Sequence, residues 1–152
     1  MNETKIGKNT IGNAGEHFVA AELERRNFTT SVVGNNCKGY DIIAVNNFTH
    51  KEVLIQVKAT SKNKKKWLVD SNILVKDNLF YVLVNIKDDK PKYYILASQE
   101  ADRLKEKNHK EFCERNGYDI NDKKHTMREI VLDDEQLNKC LNNWEIIYSK
   151  TK

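Results

Sequence analysis

The sequence predicts an α+β fold, within the broad α/β class, in which a central mixed β-sheet is flanked by helices. One helical pattern near the start of the chain and another after residue 98 bracket a region rich in β-branched and aromatic residues. Within that region short β-rich runs alternate with loop signals, which is typical of strands joined by turns. A length of 152 residues fits one domain, so we expect a single domain over residues 1–152.

The first half of the chain is predicted to contain one helix and three strands. The helix covers residues 10–27, with Thr10 as its N-terminal cap and two alanines in its middle. The loop signal GNNCKG separates the first two strands, and a turn at residues 46–50 leads into the third. The three predicted strands lie at residues 28–33, 40–45 and 52–60.

The second half of the chain is predicted to add a hairpin, a short strand and further helices. Residues 79–86 and 92–98 pair around the loop KDDKP, and residues 99–116 are helical. Residues 128–132 are predicted as one more strand. A last helix begins at Asp133, where Gln136 completes a capping box, and continues through Trp144.

Composition excludes several classes of protein. No apolar run reaches the roughly 18 residues of a membrane span, and the first residues lack the apolar stretch of a signal peptide. Three widely spaced cysteines argue against a disulfide framework, so a reducing cytoplasm is the expected location. The four histidines lack zinc-site spacing, and neither GxxxxGK[ST] nor GxGxxG occurs, so we expect no nucleotide cofactor.

Positive charge is concentrated in one part of the chain. The net charge is +4, and residues 51–76 contain seven lysines against two acids. This segment includes SKNKKKW, which directly follows the third predicted strand and could track a phosphate backbone. Its indole would stack on a base or pack on the fold, and a solvated loop is the alternative for the whole segment. The candidate nucleic-acid-binding residues are Lys62, Lys64, Lys65, Lys66 and Trp67.

Polar residues at the end of an apolar strand are the strongest chemical signal. In EVLIQVKAT, Gln56 and Lys58 share one face because side chains alternate along a strand. Asp41 stands at the beginning of the preceding strand, and antiparallel pairing brings it beside the end of the next. We therefore expect a carboxylate, an amide and an ammonium to converge there.

A fourth polar group comes from the first helix. Glu16 is the only charged residue in the arc of that helix that faces the sheet, where a carboxylate needs a cation, a metal or hydrogen bonds. Each of the four residues alone has an ordinary explanation, such as a solvent-facing strand end or a turn cap. The order of the four residues along the chain, Glu, Asp and then Gln-x-Lys, is a more specific signal than any one of them alone.

The segments GEHFVAAEL, GYDIIAV and IQVKAT together resemble the core of the PD-(D/E)XK nuclease superfamily, whose fold is restriction-endonuclease-like. The resemblance covers about residues 10–100 and leaves a helical C-terminal part at about 100–152. It implies a metal-binding role for Asp41, the motif lysine at Lys58 and the helix glutamate at Glu16. Gln56 stands where most members have Glu or Asp.

The resemblance implies a Mg²⁺- or Mn²⁺-dependent DNA endonuclease that acts in DNA repair, restriction, recombination or mobile-element biology. Asp41, Gln56, Glu16 and the backbone carbonyl of Val57 would hold the metal ion. Because Gln56 removes one negative charge from the site, a weak or inactive module that binds nucleic acid or a protein partner is the alternative. RNA is a lesser alternative to DNA as substrate, and a homodimer is expected by analogy only.

Overall fold

The computed structural model describes residues 5–152, and the elements within them form a mixed α/β structure. The helices are α1 (Lys8–Glu24), α2 (Ser98–Asn116), α3 (Asp134–Cys140) and α4 (Glu145–Lys150), with a short 3₁₀ turn at Gly34–Asn36. The strands are β1 (Phe28–Val32), β2 (Ile42–Asn46), β3 (Glu52–Thr60), β4 (Lys66–Asp70), β5 (Leu79–Asn85), β6 (Lys92–Ala97) and β7 (Met127–Val131). No helix in residues 5–152 is long and apolar enough to cross a membrane.

Five strands form the central sheet in the order β1-β2-β3-β5-β6. The pairs β1/β2, β2/β3 and β5/β6 are antiparallel, whereas β3 and β5 run parallel, so the predicted mixed sheet is confirmed. One face of the sheet packs on α1 through residues such as Leu23 and Ile55, and the other packs on α2 through Leu83 and Leu104. The sheet is therefore covered by helices on both faces, as the apolar pattern of β5 requires.

The boundaries of α1 and α3 differ from the predicted ones. The helix α1 begins at Lys8 with Gly7 as its N-cap, so the prediction of a Thr10 cap was wrong. Near its end, Asn27 has a positive φ of 64°, which stops the helix before the predicted boundary. The capping box of Asp133 and Gln136 is confirmed, but α3 ends at Cys140 because Asn142 also has a positive φ.

The basic segment contains a strand that the sequence pattern did not indicate. Lys66–Asp70 forms β4, which pairs antiparallel with β7 in a separate two-stranded sheet. Trp67 and Val69 face inward in this strand, while Lys66, Leu68 and Asp70 are exposed. The C-terminal part of the chain is therefore joined by backbone pairing to the segment that follows β3.

A close approach between α1 and β3 fixes the position of the first helix. A Cβ at Gly15 would lie 2.6 Å from the Cβ of Ala59, whereas a Cβ at Gly12 would have no atom within 4 Å. Only a residue without a side chain lets the helix lie this near the strand. The same approach carries the neighbouring Glu16 toward the end of β3 that bears Lys58.

Alanine at the two glycine positions is expected to change stability in opposite directions. Gly12→Ala should raise the free energy of unfolding by about 0.5–1 kcal/mol, through helix propensity alone. Gly15→Ala should lower it by about 1 kcal/mol, since the overpacking cost of about 1–3 kcal/mol exceeds the same gain. Urea unfolding of both variants measures the difference, and equal stabilisation by the two alanines would contradict the close approach.

Candidate active site

Asp41 lies immediately before β2, opposite Gln56 of β3. The register pairs Ile42 with Ile55, and the backbone N–H of Asp41 donates to the carbonyl of Ile55 at 2.8 Å. Asp41 Oδ2 accepts hydrogen bonds from the Val57 N–H at 2.8 Å and from Gln56 Nε2 at 2.6 Å. The predicted proximity of the aspartate and the glutamine is thus present as a direct contact.

The amide of Gln56 joins two oxygen atoms of the site. Its Nε2 contacts Asp41 Oδ2 and lies 3.4 Å from the carbonyl oxygen of Val57. The residue is only 8% exposed, so these contacts are shielded from bulk water. The amide NH₂ therefore holds together a carboxylate and a carbonyl that would otherwise repel each other.

The charges of Glu16, Asp41 and Lys58 act on one another. Burial raises the pKa of Glu16, the carboxylate of Asp41 raises it further, and His17 and Lys58 oppose the shift. Burial also raises the pKa of Asp41, against the effects of the Val57 N–H, Lys58 and Gln56. The structure therefore brings the four predicted polar residues into one electrostatic group.

An open cleft of about 740 Å³ lies over this group. Asp41, Gln56 and Lys58 line it, whereas Glu16 is carried by α1 beside the cleft and is not among its lining residues. Sequence reasoning missed three further lining residues, Asp70, Asn72 and Tyr81. Asp70 is the last residue of β4, and Asn72 follows that strand. Because β4 was not predicted, the local sequence did not indicate that these two residues line the cleft.

The donor atoms of the site are oxygens of mixed type. Within residues 5–152 no three histidine, cysteine, aspartate or glutamate side chains are close enough to hold a metal ion. Two carboxylates, the Val57 carbonyl and the Gln56 amide oxygen would have to serve instead, and hard oxygen donors suit Mg²⁺ and Mn²⁺. Gln56 fits such a set after a half-turn of its amide, which would direct Oε1 instead of Nε2 toward Asp41.

A second groove, of about 350 Å³, adjoins the cleft and is strongly basic. Lys58 lines both cavities, so the two lie next to each other at the end of β3. The other lysines of this groove are Lys8, Lys62, Lys64 and Lys66. Lys8, at the start of α1, was missed because it is distant in sequence from the basic segment.

Two lysines of the basic segment are paired with acids, and its tryptophan is buried. The ammonium of Lys65 pairs with Asp134, and that of Lys66 lies 3.2 Å from Glu129. Trp67 is 3% exposed and its indole N–H donates to the carbonyl of Val84 at 3.1 Å. Base stacking by Trp67 is therefore a wrong prediction, because its ring is buried against Tyr94 and the sheet. The alternative of packing on the fold is confirmed.

Comparison with known proteins gives a likeness in structure alone. No family model and no curated protein matches the sequence. The structure of a bacterial homing endonuclease, I-Ssp6803I, aligns over 95% of this chain and 94% of its own, with a TM-score of 0.57 and 12% identity. The Holliday junction resolvase Hjc of Archaeoglobus fulgidus aligns over 90% and 95%, with a TM-score of 0.47 and 14% identity. The restriction-endonuclease-like fold that the motifs predicted is confirmed.

Proposed function

We propose that this chain, which has the restriction-endonuclease-like fold, is a metal-dependent DNA endonuclease that hydrolyses phosphodiester bonds. The observation that carries the proposal is the contact of Asp41 with Gln56 and Val57 at the mouth of a cleft that Lys58 also lines. Repair, restriction, recombination and mobile-element biology are the processes in which such an activity would serve. The homing endonuclease that shares the fold agrees with this class of chemistry.

The carboxylates of Asp41 and Glu16, the carbonyl of Val57 and the amide oxygen of Gln56 would hold one Mg²⁺ or Mn²⁺ ion. When bound, the ion would neutralise phosphate charge and acidify the attacking water. The burial of Asp41 and Gln56 favours this role, since a half-buried carboxylate interacts more strongly with a cation than an exposed one does. The mutual repulsion of Glu16 and Asp41 would be relieved by the same cation.

Lys58 would act on the substrate from the wall of the cleft that it lines. It shares its strand face with Gln56 and opposes the rise in the pKa of both carboxyl groups, so its charge acts on both of them. An ammonium there would orient the attacking water or stabilise negative charge on the phosphate in the transition state. Because Lys58 also borders the basic groove, a strand bound in that groove would lead directly to the site.

The basic groove is proposed to bind the phosphate backbone next to the cut. Lys62 and Lys64 form no ion pair with an acid in residues 5–152, so their charges are available to a polyanion. Lys8, at the start of α1, adds a third cation to the lining of the groove. Such contacts supply affinity without reading sequence.

Replacing Lys62 and Lys64 together with serine is expected to weaken DNA binding and its dependence on salt. Each phosphate contact contributes about 0.9 to the slope of log affinity against log salt, so the slope should fall by roughly 2. Fluorescence anisotropy with a labelled duplex, at several salt concentrations, measures both quantities. Lys65→Ser is the matched control, because the Lys65 ammonium is paired with Asp134 and should contribute little. An unchanged slope in the double variant would remove the groove from the binding surface.

A catalytically inactive binding module is the second candidate function. The observation that favours it is the hydrogen bond from Gln56 to Asp41, which satisfies the carboxylate without a metal ion. Incubation of the wild-type protein with duplex, branched and single-stranded DNA and with RNA separates the two functions. A nuclease cuts at least one DNA substrate when Mg²⁺ or Mn²⁺ is added, whereas a module binds without cutting. A homodimer stays a prediction from the resemblance.

A further inference from the structure

Tyr81 is a buried phenol beside the proposed catalytic residues. It lies on β5 and pairs in register with Gln56 of the parallel strand β3. The residue is 2% exposed, and its ring belongs to the apolar layer between the sheet and α2, with Leu83, Leu96 and Leu104. A phenylalanine would fill the same space, so packing alone does not account for the hydroxyl.

The hydroxyl of Tyr81 has no internal partner in the described part of the chain. No side-chain or backbone group of residues 5–34 and 36–152 hydrogen-bonds with it, and the one enclosed side-chain N or O atom without a partner in those residues is Nε1 of Trp144. The Tyr81 hydroxyl is therefore not fully enclosed by protein atoms. Tyr81 lines the cleft, so the hydroxyl is accessible from the cleft. In the free protein, water in the open cleft is the partner left to this hydroxyl, and a ligand with a hydrogen-bond acceptor could take the place of that water.

The surroundings keep this hydroxyl a donor. Burial raises the pKa of Tyr81, and the carboxylates of Asp70, Asp41 and Asp102 raise it further. The phenol therefore stays protonated throughout the range in which nucleic acids are stable. A neutral hydroxyl can donate to a hydrogen-bond acceptor that the nearby carboxylates, which have no proton to donate, cannot bind.

We infer that the Tyr81 hydroxyl donates a hydrogen bond to a non-bridging oxygen of the substrate phosphodiester held beside Gln56 and Lys58. Adjacent strands lie about 4.8 Å apart, so two residues in register on β3 and β5 can contact the same phosphate group. A phosphate oxygen fits this place because Lys58 on the same wall supplies the positive charge that the phosphate needs. The inference rests on the proposed nuclease function and adds a substrate-contacting residue to it.

Tyr81→Phe removes the hydroxyl and keeps the ring, so it tests the inference directly. Hydrogen bonds to charged groups contribute about 1.5–3 kcal/mol, which at 1.36 kcal/mol per factor of ten corresponds to a loss of about 10- to 160-fold in kcat/KM. DNA affinity should fall by a similar factor. It is compared between Asp41→Asn and the double variant Asp41→Asn/Tyr81→Phe, so that the DNA is not cut during the measurement. The melting temperature should stay close to the wild-type value, because the free protein loses no internal hydrogen bond. Tyr94→Phe, in the same apolar layer but outside the cleft, should leave all three quantities near the wild-type values.

The outcomes separate this inference from the proposed function. If the wild-type protein cuts DNA and Tyr81→Phe cuts and binds equally well, the inference is overturned while the nuclease function stands. A fall of several degrees in the melting temperature of Tyr81→Phe would show an internal partner for the hydroxyl and would also overturn it. If the wild-type protein neither binds nor cuts nucleic acid, the proposed function fails and the inference fails with it.

Discussion

Asp41→Asn is expected to lower the rate of Mg²⁺-dependent DNA cleavage by at least about 1,000-fold. A metal ion contributes several kcal/mol of charge stabilisation in the transition state, and each 1.36 kcal/mol is a factor of ten in rate. The asparagine oxygen can still accept the Val57 N–H, so the local backbone should be preserved while the negative charge is lost. Initial rates on supercoiled plasmid, with both proteins at the same Mg²⁺ concentration, give the ratio.

The stability of Asp41→Asn provides the control. Because burial raises the pKa of Asp41 in the folded state, its ionised form costs folding free energy at neutral pH. That cost is absent below the ordinary value of 3.8, where the carboxyl is protonated in both states, and it appears as the pH rises through the raised folded-state pKa. In EDTA at pH 7 the variant should thus be more stable than the wild type, with a difference that shrinks toward pH 4. A less stable variant at pH 7 would contradict the burial effect.

Lys58→Met is expected to reduce cleavage by about 100- to 1,000-fold, the range seen when one preorganised donor to a developing negative charge is removed. Methionine keeps most of the aliphatic stem, so the packing of the β3 end should be retained. DNA affinity should fall far less, because Lys58 is only one of five lysines that line the basic groove. Cleavage rates and binding curves, both measured on the same duplex, give the change in activity and the change in DNA affinity.

Lys65→Met is the matched control for this prediction. It removes a lysine from the same basic segment, but one whose ammonium pairs with Asp134 and does not line the cleft. Cleavage by Lys65→Met should remain close to that of the wild-type protein. If the two variants lost activity equally, general loss of positive charge would explain the effect, and a specific role of Lys58 at the phosphate would be excluded.

The part of the site built from neighbouring strands could be predicted because its geometry is local. The strand β3 was placed at its observed residues, and the period-two alternation of its side chains put Gln56 and Lys58 on one face. A short turn then determined the antiparallel register that brings Asp41 opposite Gln56. Hairpin register depends on the turn and on which face is buried, and both are visible in a single sequence.

The rest of the site depends on contacts between distant segments. Trp67 and Asp70 belong to β4, whose partner β7 lies about sixty residues later, so no local pattern showed the strand or its buried face. Tyr81 was hidden for a different reason. It sits within the run LFYVLVN, which is buried on both faces, and an apolar run of this kind does not show that one hydroxyl opens into a cleft.

Gln56 determines how the proposed site would differ from one built with a third carboxylate. Its amide donates to Asp41 and to the Val57 carbonyl, so the site is internally satisfied without a cation. Metal binding would then have to compete with this arrangement by turning the amide. The balance between the nuclease and the binding module therefore depends on a single side chain.

The most direct measurement is the initial rate at which the wild-type protein cuts supercoiled, linear and branched DNA in Mg²⁺ or Mn²⁺, with EDTA and Asp41→Asn reactions in parallel. The expected result is cleavage of at least one substrate that depends on the added metal ion and is lost in both parallel reactions. Cleavage that persisted in EDTA or in Asp41→Asn would contradict a metal-dependent site at Asp41. Binding without cleavage of any substrate would contradict the nuclease and leave the binding module.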